Sequence, residues 1–175
     1  MIDLLHTRRS IRKYSKTSID PKQIDLLKEA LLRSPSSRGI NPLEFIFVDD
    51  PALLGKLSCA KQQGSEFLKD AKLGIMVCAD ESKSDVWVED CAIASILVQM
   101  TAHSLGLGSC WIQIRLRNHD ETTTSEKYIQ QLLGIPEKIK VASIISIGHP
   151  EEIKRPHPES ELDYGKIRRN YFFND

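Results

Sequence analysis

The sequence predicts an α+β protein of three layers, and three observations carry that prediction. Apolar strand-like runs near 43–48, 73–79, 109–114 and 141–147 alternate with helical periodicities near 21–33, 51–62, 88–105 and 125–133. The segment from Val88 to Leu105 is apolar on almost every side of a 3.6-residue wheel and holds neither Pro nor Gly. Gly106 and Gly108 follow that helix and precede a strand, the reverse of the dinucleotide-binding order, and Walker-A spacing is absent.

In chain order, Ile2 to His6 reads as a short helix leading into Arg8-Arg9-Ser10-Ile11-Arg12-Lys13-Tyr14, the densest basic stretch. If that stretch is extended, Arg8, Ser10 and Arg12 share a face, roughly 6.6 Å between successive members. Two guanidinium forks around a hydroxyl can grip a phosphate and a second electron-rich group; the competing reading is a solvated basic arm. Asp20-Pro21-Lys22-Gln23 supplies an N-cap, a proline at the first helical position and a capping-box partner for a helix running to about Arg33.

Ser34-Pro35-Ser36-Ser37-Arg38-Gly39-Ile40-Asn41-Pro42 is a polar turn-rich loop before the strand Leu43 to Val48. Its hydroxyls and amide can simply make a turn, or can line a pocket for a heteroaromatic ring, since they both donate and accept. Asp50-Pro51 opens the next helix, and Leu73 to Ala79 is a strand. The helix 88–105 is too short and too interrupted by Ser95, Gln99, Thr101 and His103 to span a membrane. It should be buried all round, in a core or in a core plus a subunit interface.

Gly106 can take the left-handed cap that ends this helix, and Gly108 allows backbone to approach something flat or large. The charged segment Arg115 to Thr124 reads as a surface excursion, in which His119, Asp120 and Glu121 are solvated rather than metal ligands. Thr124 or Ser125 caps a helix through Leu133 that Gly134 and Pro136 stop. Val141 to Ile147 is the cleanest strand and ends in Gly148-His149-Pro150. The tail adds the basic pair Lys154 and Arg155, a short helix near Asp163 to Arg169, and Tyr171-Phe172-Phe173, which should pack on a neighbour or add an edge strand.

The 175 residues suit one domain spanning 1–175. Lys and Arg balance Asp and Glu at a formal net charge of zero, so no global field draws the chain to nucleic acid or to an anionic membrane, and any anion site must be local. Cys59, Cys78, Cys91 and Cys110 show neither metal-ligand spacing nor a disulfide framework, and the N-terminus lacks the apolar core of a secretory signal. These features point to a reduced, cytoplasmic protein without a resident metal.

Taken as an ordered set, Arg8 to Tyr14, Ser34-Pro35-Ser36-Ser37 with Asn41-Pro42, Leu105-Gly106-Leu107-Gly108-Ser109-Cys110-Trp111 and Ile147-Gly148-His149-Pro150 resemble the motifs of the nitroreductase family, FMN-dependent NAD(P)H oxidoreductases. The resemblance implies a central mixed sheet flanked by helices, and a homodimer formed through the long central helix with two FMN molecules at the interface, each touched by both subunits. The implied cofactor-binding set is Arg8, Arg9, Ser10, Arg12, Pro35, Ser36, Ser37, Asn41, Gly108, Ser109, Cys110, Lys154 and Arg155. Arg8 and Ser10 would hold the phosphate and ribityl chain, and Arg12 would reach the N1/O2 side of the ring as an electrostatic tuner. Pro35, Ser36, Ser37 and Asn41 would come from the partner subunit, Gly108, Ser109 and Cys110 would lie along the flavin, and Lys154 or Arg155 would close the phosphate site. Where many members carry Gln-Pro-Trp, this chain has Asn41-Pro42-Leu43.

A flavin enzyme of this kind needs no catalytic side chain for hydride transfer, because the cofactor does the chemistry at its N5 atom, which matches the absence of a nucleophile–base pair. The expected reaction passes a hydride from NAD(P)H through FMN to an electron-poor small molecule such as a nitroaromatic or quinone, in ping-pong order. The alternatives are a dimer that retains flavin without turnover, which an NAD(P)H oxidation assay separates, and a different flavin reaction of the same superfamily, which the short 115–124 excursion disfavours.

Overall fold

Two strands form the spine because their sequences leave no polar face. Leu73–Asp80 (β2) is buried along its whole length and Ile139–Gly148 (β4) along all but its first two residues. A strand covered on both faces reads as a continuous apolar run rather than an alternation. In the computed structural model, which describes residues 1–173, β2 and β4 pair at the centre of a four-stranded sheet, with Leu43–Val48 (β1) outside β2 and Gly108–Gln113 (β3) outside β4.

All three ladders are antiparallel, which corrects the expected mixed sheet; among the described residues parallel pairing is limited to the bridge between Ser10 and Ser109. The link from β1 to β2 shows why. It runs through Pro51–Leu57 (α3) and brings the chain back to the end of the sheet it left, where Val48 at the end of β1 pairs with Gly74 at the start of β2.

Side chains of alternate sheet residues enter two separate cores. Ile75, Val77 and Ala79 meet Leu27 and Leu31 of Pro21–Leu32 (α2) together with Ala94, Val98 and Ala102 of Trp87–Ser104 (α4). Met76 and Cys78 meet Leu54 and Leu57 of α3 and Ile129 of Ser125–Leu133 (α5) on the other side. The predicted three layers are thus α2 and α4, the sheet, and α3 and α5. The capping box of Asp20 and Gln23 forms as expected, and Gln23 also donates to the carbonyl of Leu105 at 3.0 Å, tying α2 to the end of α4.

Two expectations need revision. The helix expected over 51–62 stops at Leu57, because Cys59 and Ala60 donate three residues back rather than four, while the carbonyl of Ser58 is taken by the Ser65 hydroxyl at 2.8 Å. The helix expected over 163–169 is one short turn, Tyr164–Lys166, whose residues are all exposed and offer no face to pack. Within one chain α4 leaves two of its apolar side chains uncovered, Ile93 at 39% and Ile96 at 41% exposure. Near the termini, Ile2–Thr7 (α1) has no buried residue, and Tyr171, Phe172 and Phe173 lie exposed outside any strand.

Candidate active site

The basic arm is extended and is stitched to the sheet's outer edge. The amide of Ile11 donates to the carbonyl of Ser109 at 2.9 Å, and Ser15 donates to His149 at 2.9 Å. Between them the buried Tyr14 hydroxyl donates to the carbonyl of Ile11 at 2.6 Å and shares a hydrogen with Ser146 Oγ at 2.7 Å. Burial keeps the Tyr14 phenol protonated far above its ordinary range. Contact this close demands glycine opposite the arm: a Cβ on Gly108 would sit 2.8 Å from Ile11, and one on Gly148 2.9 Å from Tyr14.

Where α1 ends against the C-terminal end of α4, the arm, β3 and the chain after β4 enclose a cavity of 250 Å³. Arg8, Arg9 and Lys154 give it positive charge, and Gly108 and Ser109 also line it. Lys154 is aimed by two bonds, to the carbonyl of Ser10 at 2.8 Å and to Glu152 at 3.3 Å. Glu152 in turn accepts from the arm's backbone, from Arg12 N at 2.5 Å and Lys13 N at 3.2 Å. Burial resists ionisation of Glu152, but the Arg12 amide, Lys154 and the Lys13 amide outweigh it and hold the carboxyl below its usual value.

Of the residues expected here, Arg8, Arg9, Gly108, Ser109 and Lys154 line the cavity together. Ser10 and Cys110 lie just behind it: burial raises the Cys110 thiol, opposed by the charges of Arg12, Lys154 and Arg8 and by a bond to Ser10. The Arg12 guanidinium lies 5.7 Å from the ring centre of Phe67. Arg155 is exposed and offers its carbonyl to Arg9, so of the tail's basic pair Lys154 is the one turned inward. Thr7 and His103, hydrogen-bonded to each other at 2.7 Å, also line the cavity. Neither stands out in sequence, since His103 is one polar residue in an apolar helix and Thr7 an ordinary helix end.

Pro35, Ser36, Ser37 and Asn41 are elsewhere, at the opposite end of α4. Ser37 donates its amide to Asp90 Oδ1 at 2.9 Å, Asn41 donates its amide to Ser36 Oγ at 2.8 Å, and Arg38 pairs with Asp85. Arg38 and Asn41 both adopt left-handed backbone, at φ 55° and 52°, so the loop is held in a shape its residues do not prefer. Asp90 is 2% exposed and its Oδ2 has no hydrogen-bond partner among the described residues. In the sequence it looks like any acid in the first turn of a long helix.

The model of the nitroreductase family matches residues 5–66 and 55–149. The chain belongs to the nitroreductase family. Among its relatives, an Archaeoglobus fulgidus protein named as an NADH dehydrogenase/NAD(P)H nitroreductase is 37% identical over 157 residues, covering 87% of each chain. The FMN reductase [NAD(P)H] of Bacillus subtilis is 26% identical over 196 residues, covering all of this chain and 76% of its own length. An FMN-dependent nitroreductase structure from Clostridium difficile superposes with a TM-score of 0.97 at 46% identity, covering 98% of this chain and 100% of its own. The nitroreductase family model spans the arm, the loop at 34–42, α4 and β3, and ends at residue 149, before Glu152 and Lys154 of the cavity. His119 departs from the solvated surface residue expected of it. It stacks on Tyr128 with ring centres 4.0 Å apart and bonds the carbonyl of Cys59 at 2.8 Å. No cluster of metal-ligating side chains occurs among the described residues.

Proposed function

We propose that this chain is an FMN-dependent oxidoreductase that takes reducing equivalents from NAD(P)H and delivers them to an electron-poor acceptor such as a nitroaromatic or quinone, working as a homodimer in ping-pong order. The observation that carries the reading is the cavity in which Arg8, Arg9 and Lys154 converge over Gly108 and Ser109. Three cations with no carboxylate but Glu152 beside them, and that one bound to the arm's amides and Lys154, suit a phosphate monoester. FMN when bound supplies the hydride chemistry, and the side chains bind and orient it. Arg8, Arg9 and Lys154 hold its phosphate; Ser10 and Ser109 meet the chain between phosphate and ring; Arg12 places a positive charge at the ring's edge.

The cavity's 250 Å³ falls below the roughly 300–1,000 Å³ of complete small-molecule sites, so one chain supplies part of a site. The loop carrying Pro35, Ser36, Ser37 and Asn41 lies at the far end of α4, roughly 27 Å away along an 18-residue helix. Two copies packed with antiparallel α4 helices bring each loop to the other's cavity. The exposed Ile93 and Ile96 on α4, and the uncovered apolar side chains of α1 and the tail, supply the surface for that contact. No described helix is long and apolar enough to cross a membrane, and four unpaired cysteines fit the reducing cytoplasm.

Steady-state oxidation of NADPH and NADH with menadione and with a nitroaromatic tests the activity. Parallel double-reciprocal lines support the reading; intersecting lines refute the ping-pong order, and flavin-loaded protein that oxidises neither reductant refutes the activity.

A further inference from the structure

Between the 61–63 loop and the 115–124 excursion lies a second groove of 350 Å³ lined by Lys61, Gln62, Gln63, Arg117 and Asn118. Its two walls are joined, since Gln62 N donates to the carbonyl of Asn118 at 3.2 Å and His119 bonds the carbonyl of Cys59 at 2.8 Å. Neither Lys61 nor Arg117 has a carboxylate within ion-pair distance among the described residues; Arg117 reaches only the carbonyl of Leu116, at 3.1 Å. The carboxylate that acts on Lys61 at longer range is Glu66, and both of its oxygens are already bound to Gly64 N, at 3.0 and 2.9 Å. Two like charges that face one groove repel each other, and burial of Lys61 adds to the cost of its charge. Such an arrangement is relieved by an anion.

The groove is also placed for use by the flavin site. The loop that carries Lys61 runs on to Phe67, whose ring centre lies 5.7 Å from the Arg12 guanidinium, so the groove and the basic arm share that loop. The side-chain amides of Gln62, Gln63 and Asn118 can donate to phosphate oxygens beside the two cations. We infer that Lys61 and Arg117 form an anion subsite that binds a phosphate of the dinucleotide reductant and so determines how the enzyme selects its electron donor. This inference rests on the oxidoreductase reading above, and it assigns the groove to the donor rather than to the acceptor because the acceptor class carries no phosphate.

The test compares the wild-type holoenzyme with Lys61→Ala/Arg117→Ala, using NADPH, NADH and the phosphate-free donor 1-benzyl-1,4-dihydronicotinamide. KM for at least one dinucleotide should rise about tenfold or more in the double variant, while KM for the phosphate-free donor stays put. A rise for NADPH alone puts the 2′-phosphate in the groove, and a rise for both dinucleotides puts the pyrophosphate there. Unchanged KM values for both dinucleotides, or an equal rise for all three donors, overturn the subsite. Inorganic pyrophosphate gives a readout independent of turnover: it should raise the Tm of wild type more than that of the double variant, with Arg8→Ala as the control for the other cavity. Equal Tm shifts in wild type and the double variant overturn the subsite even if the protein proves to have no reductase activity, whereas a colourless, inactive protein whose pyrophosphate shift still depends on Lys61 and Arg117 overturns only the oxidoreductase reading.

Discussion

Asp90 Oδ1 accepts the amide of Ser37 at 2.9 Å, joining the first turns of the central helix to a loop 53 residues earlier in the chain. The bond explains how a loop with two left-handed non-glycine residues keeps a single shape, since a buried acceptor over-determines the backbone beside it. Asp90→Ala should therefore cost about 1–3 kcal/mol of stability and loosen FMN retention, whereas Asp90→Asn, which still accepts through its carbonyl oxygen, should restore most of both. Denaturant melts and fluorescence titration with FMN check this; equal losses in the two variants would contradict it.

Gly108 faces Ile11 with no room for a methyl group, because the nearest approach would be 2.8 Å. Gly108→Ala should push the basic arm off β3, destabilise the fold by about 1–3 kcal/mol and weaken FMN binding. Isothermal titration of the apo variant measures the second effect, and an unchanged Kd would show that the arm does not set the phosphate site.

Glu152 gives a pH dependence. Its carboxyl is held below the ordinary glutamate value, so its contribution to stability is present above the unfolded value near about pH 4.3 and is lost as pH falls through the lower folded value. Loss of the Glu152 clamp frees both Lys154 and the amides of Arg12 and Lys13. Wild-type stability should fall through this acid window more steeply than that of Glu152→Gln, by chemical denaturation from pH 6 to 3.

Arg12 stands apart from the cavity-lining cations Arg8, Arg9 and Lys154, with its guanidinium 5.7 Å from the ring centre of Phe67. Arg12→Ala should slow reduction by NADPH by about tenfold or more in stopped-flow, with a smaller effect on FMN retention than Arg8→Ala. An unchanged reduction rate with a normal flavin spectrum would remove Arg12 from the chemistry.

Ile93→Glu with Ile96→Glu places charge on the exposed apolar stripe of α4 without touching the sheet-facing residues Ala94 and Val98. Sedimentation should show wild-type dimers and variant monomers, and the monomers should lose flavin. A variant that stays dimeric would move the interface elsewhere.

Most of the strands and helices were legible because each writes its environment into a period: the unbroken apolar run of β4 needs cover on both faces, and Asp20 with Gln23 announces the start of α2. The end of α3 was not, since Ser58 and Ser65 divert the backbone by a bond that the helical period does not reveal, and neither was the short tail helix, whose exposed residues offer no face to pack. The arm, β3 and Lys154 could be picked out as basic or glycine-bearing motifs. Thr7, His103, Glu152 and Asp90 could not, because each is ordinary at its own position and matters only through a partner roughly 50 to 140 residues away.

The central claim is that paired chains hold FMN between the arm of one and the 34–42 loop of the other. The visible absorption spectrum of the purified protein, followed by identification of the released chromophore, tests it most directly. The account predicts a yellow protein with flavin bands and one FMN per chain. A colourless protein that takes up no added FMN would contradict it.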